Sequence, residues 1–278
     1  MKKDVLQRFN LMGKNAVIIG GSGVLGSVIS RGLALAGANI AIASRSKTAD
    51  ISKIVSKLEK EGINVKGYYI DVMDFIKIRK CKEEILRDFK QIDILVNAAG
   101  GNQKGATTSP EQSFFDLPAK ELEKVVGLNL FGGAILPSQV FGKEMLKNEE
   151  GGSIINISSM AAFRPLTKVL GYSAAKAAVS NFTQWLAVHF AQEYNPKLRV
   201  NAIAPGFFLT TQNKYLLTNE DGSLTKRGEL VIAHTPAGKF GDPEDLIGAC
   251  VWLASDNANF VTGIVVPIDG GFSAFSGV

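Results

Sequence analysis

Cysteine and histidine are scarce: the 278-residue chain has two of each, Cys81 and Cys250, His189 and His234. No CxxC pair exists and the four side chains lie far apart, so neither a disulfide framework nor a zinc site has its spacing, and a reducing cytoplasm is the default expectation. No Lys/Arg-rich run collects the surplus of 31 basic over 26 acidic residues, so the net charge of +5 does not point to a nucleic-acid face. The N-terminal fifteen residues lack an uninterrupted apolar core, and no stretch supplies about 18 consecutive apolar residues, so neither a signal peptide nor a membrane span is expected. There is also no Ser/Gly/Pro linker and no internal repeat to divide the chain. With 46% hydrophobic and 21% charged residues, collagenous, low-complexity and disordered classes are excluded.

What is present is an alternation. Short apolar, β-branched runs at 16–19, 40–43, 65–70, 92–96, 153–157, 199–203 and 264–267 read as strands. Helical patterns lie between them at about 24–36, 49–61, 74–89, 118–147, 172–194 and 243–254, several opened by cap-like residues such as Asp74, Ser113 and Asp242. Near-continuous apolar strands in strict alternation with helices predict an α/β fold. This is a doubly wound, Rossmann-like parallel sheet of seven strands in a three-layer α/β/α arrangement. A single domain over 1–278 is expected, with one long excursion at about 206–241, after a strand end, as a substrate lid.

The first strand runs into Gly20, Gly21, Ser22, Gly23, Val24, Leu25 and Gly26 and then a helix. Glycines there admit a pyrophosphate to backbone N–H groups at a helix N-terminus, although a tight turn alone would also use them. After the second strand, where an acidic residue would accept from the adenosine ribose of NAD, the chain reads Ala43-Ser44-Arg45-Ser46-Lys47. With no carboxylate present, Ser44, Arg45 and Lys47 suit a 2′-phosphate and favour NADP over NAD, the alternative being that Arg45 is merely solvated. Asp71 and Val72 at the third strand tip, and Asn97, Ala98, Ala99 and Gly100 at the fourth, lie where adenine and its ribose would rest.

Tyr172 and Lys176, four apart, share one face of a helix, and Ser159 ends the strand before it. A nearby ammonium would favour the phenolate that proton transfer to or from an alcohol needs; bringing a phenol from near 10 to neutrality takes roughly 4 kcal/mol. An incidental Tyr/Lys pair is the plain alternative. Asn129, inside an otherwise apolar helix, is either structural or part of a water relay to Lys176.

The glycine loop, Asn97-Ala98-Ala99-Gly100, Asn129, Ser159, Tyr172-x-x-x-Lys176 and Pro205-Gly206 leading through Phe208 to Thr210 together resemble the short-chain dehydrogenase/reductase family over essentially the whole chain. Ile19 and Val24 depart from the family's loop, which carries Thr and Gly at those places. The resemblance implies hydride transfer between a nicotinamide and a carbonyl or alcohol. It makes Tyr172 the general acid/base, has Lys176 hold the nicotinamide ribose and lower the Tyr172 pKa, lets Ser159 orient the substrate oxygen, and gives Asn129 a relay water. It also implies a homotetramer with the C-terminal tail near a neighbouring subunit.

A narrower likeness, carried by 99–102, 106–108, 163–168, 181–189, 205–210 and 269–277, is to the short-chain type of D-mannonate oxidoreductase (fructuronate reductase). It implies interconversion of D-fructuronate and D-mannonate, with another sugar acid or polyol, as in gluconate 5-dehydrogenases, as the alternative. A non-catalytic nucleotide sensor would be expected to have lost Ser159, Tyr172 or Lys176, and all three stand. A sugar acid needs cationic and hydroxyl-binding groups, and Asn102, Arg164, Lys168, Gln212, Asn213 and His234 lie on loops expected to face the nicotinamide. Arg164 serves equally as a surface or interface ion pair, and His189 is expected to pack on its helix. Phe131, Ile135, Phe141, Phe182, Trp185 and Phe190 offer more apolar surface than one sheet face needs, which suggests subunit association.

Overall fold

The structure, a computed structural model, describes residues 4–45, 48–210 and 214–277. Seven parallel strands form one sheet: β1 (Asn15–Ile19), β2 (Asn39–Ser44), β3 (Val65–Tyr69), β4 (Ile94–Asn97), β5 (Gly152–Ile157), β6 (Leu198–Pro205) and β7 (Val265–Ile268). Their order is β3-β2-β1-β4-β5-β6-β7, so the winding reverses between β1 and β4, the place where such sheets open a ligand crevice.

Alternate residues of each strand face opposite layers. Ile18, Ile40, Ile42, Val96 and Ile203 pack on α1 (Val24–Leu35) and α9 (Ile247–Ala254) through Ile29, Leu33, Leu246, Cys250 and Leu253. Val17, Ile19, Ala41, Leu95, Ile154 and Val200 pack on α3 (Phe75–Phe89), α5 (Leu136–Met145) and α6 (Leu170–Glu193) through Ile78, Cys81, Ile85, Phe141, Leu186 and Phe190. Burial on both faces is why β1, β2 and β4 read as near-continuous apolar runs, whereas the edge strands β3 and β7 keep exposed residues. α2 (Thr48–Lys60) packs beside β3.

Two of the three expected caps hold. The Asp74 carboxylate accepts from the N–H groups of Ile76 and Lys77, and Asp242 forms a capping box with Asp245. Ser113 does not open the long helix. Its hydroxyl bonds to Asp116 within a separate turn, and α4 (Ala119–Val126) begins after Pro118.

The expected helix at 118–147 is a continuous 27-residue run whose middle, Gly127–Ile135, is π-helical. Leu136 N–H reaches back five residues to Phe131 C=O. Pro137, which has no N–H to donate, stands at the start of α5 just beyond. Gly132 and Gly133 lay this segment on the strand tips: a Cβ on Gly133 would stand 2.5 Å from Ala99 O, and one on Gly132 would stand 2.9 Å from Val72 O. The run is long and apolar enough to cross a bilayer by length and composition, but 56% of its apolar window is buried inside the fold.

The apolar surplus expected on these helices is smaller than the sequence suggests. Phe141 and Phe190 are core residues, and Ile135 and Phe182 are half-buried. Phe131 and Trp185 are exposed, and Trp185 stacks on His189 at 4.7 Å, so that histidine packs on its own helix as expected. The 206–241 excursion contains α7 (Lys214–Leu217) and α8 (Lys226–Ala233), and is pinned at its base where Phe208 bridges to Gly241.

Candidate active site

A cavity of about 700 Å³ opens along the C-terminal edge of the sheet, across the reversal between β1 and β4. One end is the glycine loop. Gly20 has φ +82°, and a Cβ there would lie 2.7 Å from Ala99 N; a Cβ on Gly26 would lie 2.4 Å from Gly20 O. Those two glycines therefore make the turn and its contact with β4. At Gly23, the N-cap of α1, a Cβ would meet only Gly20 O at 3.3 Å, and no side chain caps the first turn of α1. This helix N-terminus is a fitting seat for a pyrophosphate. Ser22 and Ser44 share a hydrogen bond at the wall of the cavity, and Arg45 joins them there with its side chain exposed.

At the other end Ser159 follows β5, with its Oγ accepting from Ala161 N–H at 3.1 Å, and the Tyr172 phenol stands near enough for Ser159 to lower its pKa. One turn further along α6, Lys176 is buried, its Nζ donates to Ile157 O at 2.7 Å, and it stands 5.7 Å from the Tyr172 ring centre. Pro205, Gly206, Phe208 and Thr210 continue the wall after β6.

A family model of the short-chain dehydrogenases, described as enoyl-(acyl carrier protein) reductase, matches residues 22–273. An uncharacterized oxidoreductase, UxuB, of Bacillus subtilis is 50% identical over 279 residues, covering 97% of this chain and 98% of its own. The chain belongs to the short-chain dehydrogenase/reductase family. A solved structure from Haemophilus influenzae, provisionally described as a D-mannonate oxidoreductase with bound NAD, superposes with a TM-score of 0.90 at 43% identity, covering 99% of this chain and 100% of that one. A gluconate 5-dehydrogenase from Burkholderia cenocepacia, in complex with NADP and tartrate, gives 0.85 at 29% identity over 98% of this chain and 100% of that one.

As an NAD(P)-dependent oxidoreductase of this family, the chain has residues that fit the cofactor. Gly20, Ser22, Gly23, Val24, Leu25 and Gly26 would hold the pyrophosphate, Ser44 and Arg45 the adenosine ribose, and Asp71 and Val72 the adenine; all line the cavity. Ala98, Ala99 and Gly100 line it beside Tyr172 and Lys176. Bound NAD(P) supplies the hydride donor or acceptor. The chain would supply the proton: Tyr172 would give its phenolic proton to a carbonyl oxygen on reduction and take it back on oxidation. Ser159, fixed by Ala161 N–H, would hold the same oxygen in place.

The electrostatics correct one expectation. Burial pushes the Tyr172 phenol up, and Ser159 only partly opposes it. Lys176 is itself pushed down to about 8 by burial, its ammonium turned to Ile157 O, so in the chain by itself it does not bring the phenol down. Between pH 8 and its ordinary 10.5 the native lysine is neutral while the unfolded chain is protonated, so this group's contribution to stability rises with pH through that window. The stability difference, Lys176→Met minus parent, should therefore fall by up to about 3 kcal/mol across that window in urea titrations.

Two asparagines read as site residues face inward. Asn97 donates to Asn156 Oδ1 at 2.8 Å and Ser138 Oγ at 3.1 Å, and Asn156 continues to Thr183, so it ties β4 to β5 and α6 beneath the cavity. Asn129 accepts Gly101 N–H at 3.0 Å and donates to Gly101 O and Val125 O at 2.7 and 2.8 Å. These bonds clamp the loop after β4.

Of the expected substrate residues, Asn102, Arg164, Lys168 and His234 lie outside the cavity wall. Asn102 donates to Thr107, Arg164 to Ser273 O and His234 contacts Leu230 O, while Lys168 is exposed. Lys47, Gln212 and Asn213 lie outside the described residues. Ile70, Leu128 and Ile157 line the cavity without having been singled out. Their adjacency to strand tips was the available signal.

Proposed function

We propose that the enzyme transfers hydride between NAD(P) and a sugar-acid ketone or alcohol, interconverting D-fructuronate and D-mannonate. The observation that carries the reading is the Ser159–Tyr172–Lys176 constellation at the end of a dinucleotide cradle, in a chain similar over its whole length to the provisionally described D-mannonate oxidoreductase. Offering fructuronate, tagaturonate and 5-ketogluconate in parallel with NADH and NADPH tests it: fastest oxidation of the nicotinamide with fructuronate is expected. A preference for 5-ketogluconate would transfer the assignment to the gluconate 5-dehydrogenase type, which the likeness to the Burkholderia cenocepacia enzyme supports.

Residues 1–278 act as one domain in this reading, with 206–241 as its lid, in a cytoplasmic homotetramer. The exposed Phe131 and Trp185 support the association. Ser44 and Arg45 favour NADP, and Arg45→Ala should raise KM for NADP about tenfold, the worth of one charge-assisted hydrogen bond, while leaving KM for NAD within about twofold. Equal effects on both would show a side chain that only meets solvent.

A further inference from the structure

Beyond β7 the chain turns at once. Asp269 accepts the N–H groups of Gly271 at 3.0 Å and Ser273 at 2.8 Å, and Gly270 O accepts Ala237 N–H at 3.0 Å. Gly270 and Gly271 have φ +63° and +88°, and a Cβ on either would press on Thr235 at 2.8 Å or Pro236 at 3.1 Å. The Phe272 ring then packs on Phe207, centroids 5.3 Å apart, and Phe275 approaches the His234 ring. Arg164, five residues beyond Ser159, donates its Nε to Ser273 O at 3.1 Å. One short segment thus holds together the loop after Ser159, the β6 loop of the cavity wall and the end of α8.

We propose that Arg164 is a positioning residue that fastens segment 269–275 as a strap across the substrate side of the site. Its influence on substrate affinity runs through that strap and not through a charge contact with the substrate's carboxylate. The proposal rests on the sugar-acid reading only for the choice of substrate. It follows from where Arg164 stands: it is not among the residues that line the cavity, its Nε is held by a backbone carbonyl, and the strap it holds is built by turns that only these glycines allow without strain.

The test is a double-mutant cycle of Arg164→Met with a chain ending at Phe272, which lacks Ser273. Each change should raise KM for the keto acid about tenfold, as expected for one lost charge-assisted hydrogen bond, with kcat and cofactor Kd held within about threefold. Combining them should add little more, because both remove the same contact. Independent, additive losses would overturn the proposal, as would an Arg164→Met defect that disappears with a neutral ketose lacking the carboxylate. A second readout needs no substrate: limited chymotrypsin cleavage after Phe272 and Phe275, followed by mass spectrometry, should be faster in Arg164→Met than in the parent. Equal rates would mean that Arg164 holds no strap. If no sugar acid is turned over by the parent enzyme, the functional reading fails while the cleavage rates still decide this one.

Discussion

Tyr172→Phe should lower kcat by about 10²–10⁴-fold while NAD(P)H still binds, because the substitution removes only the group that moves a proton. The ring remains in place on α6, and the loss to folding is at most one hydrogen bond, about 1 kcal/mol. Fluorescence titration of the reduced nicotinamide reads binding, and its absorbance reads turnover. A kcat within tenfold of the parent would remove Tyr172 from the chemistry. Ser159→Ala should fall between the two, since it loses the group that orients the substrate oxygen and keeps the acid.

Gly133→Ala carries the second large effect, and two opposing terms decide its sign. Alanine favours a helix over glycine by about 1 kcal/mol. Against that, the new Cβ would stand 2.5 Å from Ala99 O and 2.9 Å from Leu128 O, and neither backbone carbonyl can swing aside as a side-chain tip would. Overpacking of this kind costs about 1–3 kcal/mol, so the net change should be destabilising, lowering Tm by a few degrees. Ala99 lines the cofactor cavity, so its displacement should also weaken NAD(P)H about tenfold, or ~1.4 kcal/mol. Gly248→Ala on α9 is the internal control: a Cβ there meets nothing within 4 Å, and the variant should gain about 0.4–1 kcal/mol. Thermal melts with and without cofactor separate the two outcomes, and a Gly133→Ala protein as stable as the control would show that the π segment can back away from the strand tips.

The sheet was legible because its inner strands are buried on both faces, so that Ala16–Ile19 or Ile94–Val96 reads as an unbroken apolar run whatever surrounds it. The caps at Asp74 and Asp242 were legible because capping is a local bond. The π segment was not, since its apolar spacing is that of any helix, and what widens it is the approach of Gly132 and Gly133 to strand tips distant in sequence. That Ser159, Tyr172 and Lys176 come together was legible through the family resemblance, and all three line one cavity. The directions of Asn97, Asn129 and Arg164 were not, because residue type says that an amide or guanidinium needs partners without saying whether they lie in the cavity or beneath it. The direction of the Tyr172 shift was missed for a related reason: burial depends on packing around α6 that spacing alone does not reveal.

The reversal between β1 and β4 also has a consequence during synthesis. β1 ends at Ile19 and its second neighbour begins only at Ile94, so one edge of β1 waits for the ribosome to deliver the intervening chain. At 5–20 residues per second that wait lasts roughly 4–15 s. Throughout it Val17 and Ile18, which end as two of the least accessible residues in the protein, belong to an apolar strand with one edge open. The crevice that receives the nucleotide is thus also where the nascent chain is most exposed to sticking to others, and refolding from denaturant should lose yield as protein concentration rises.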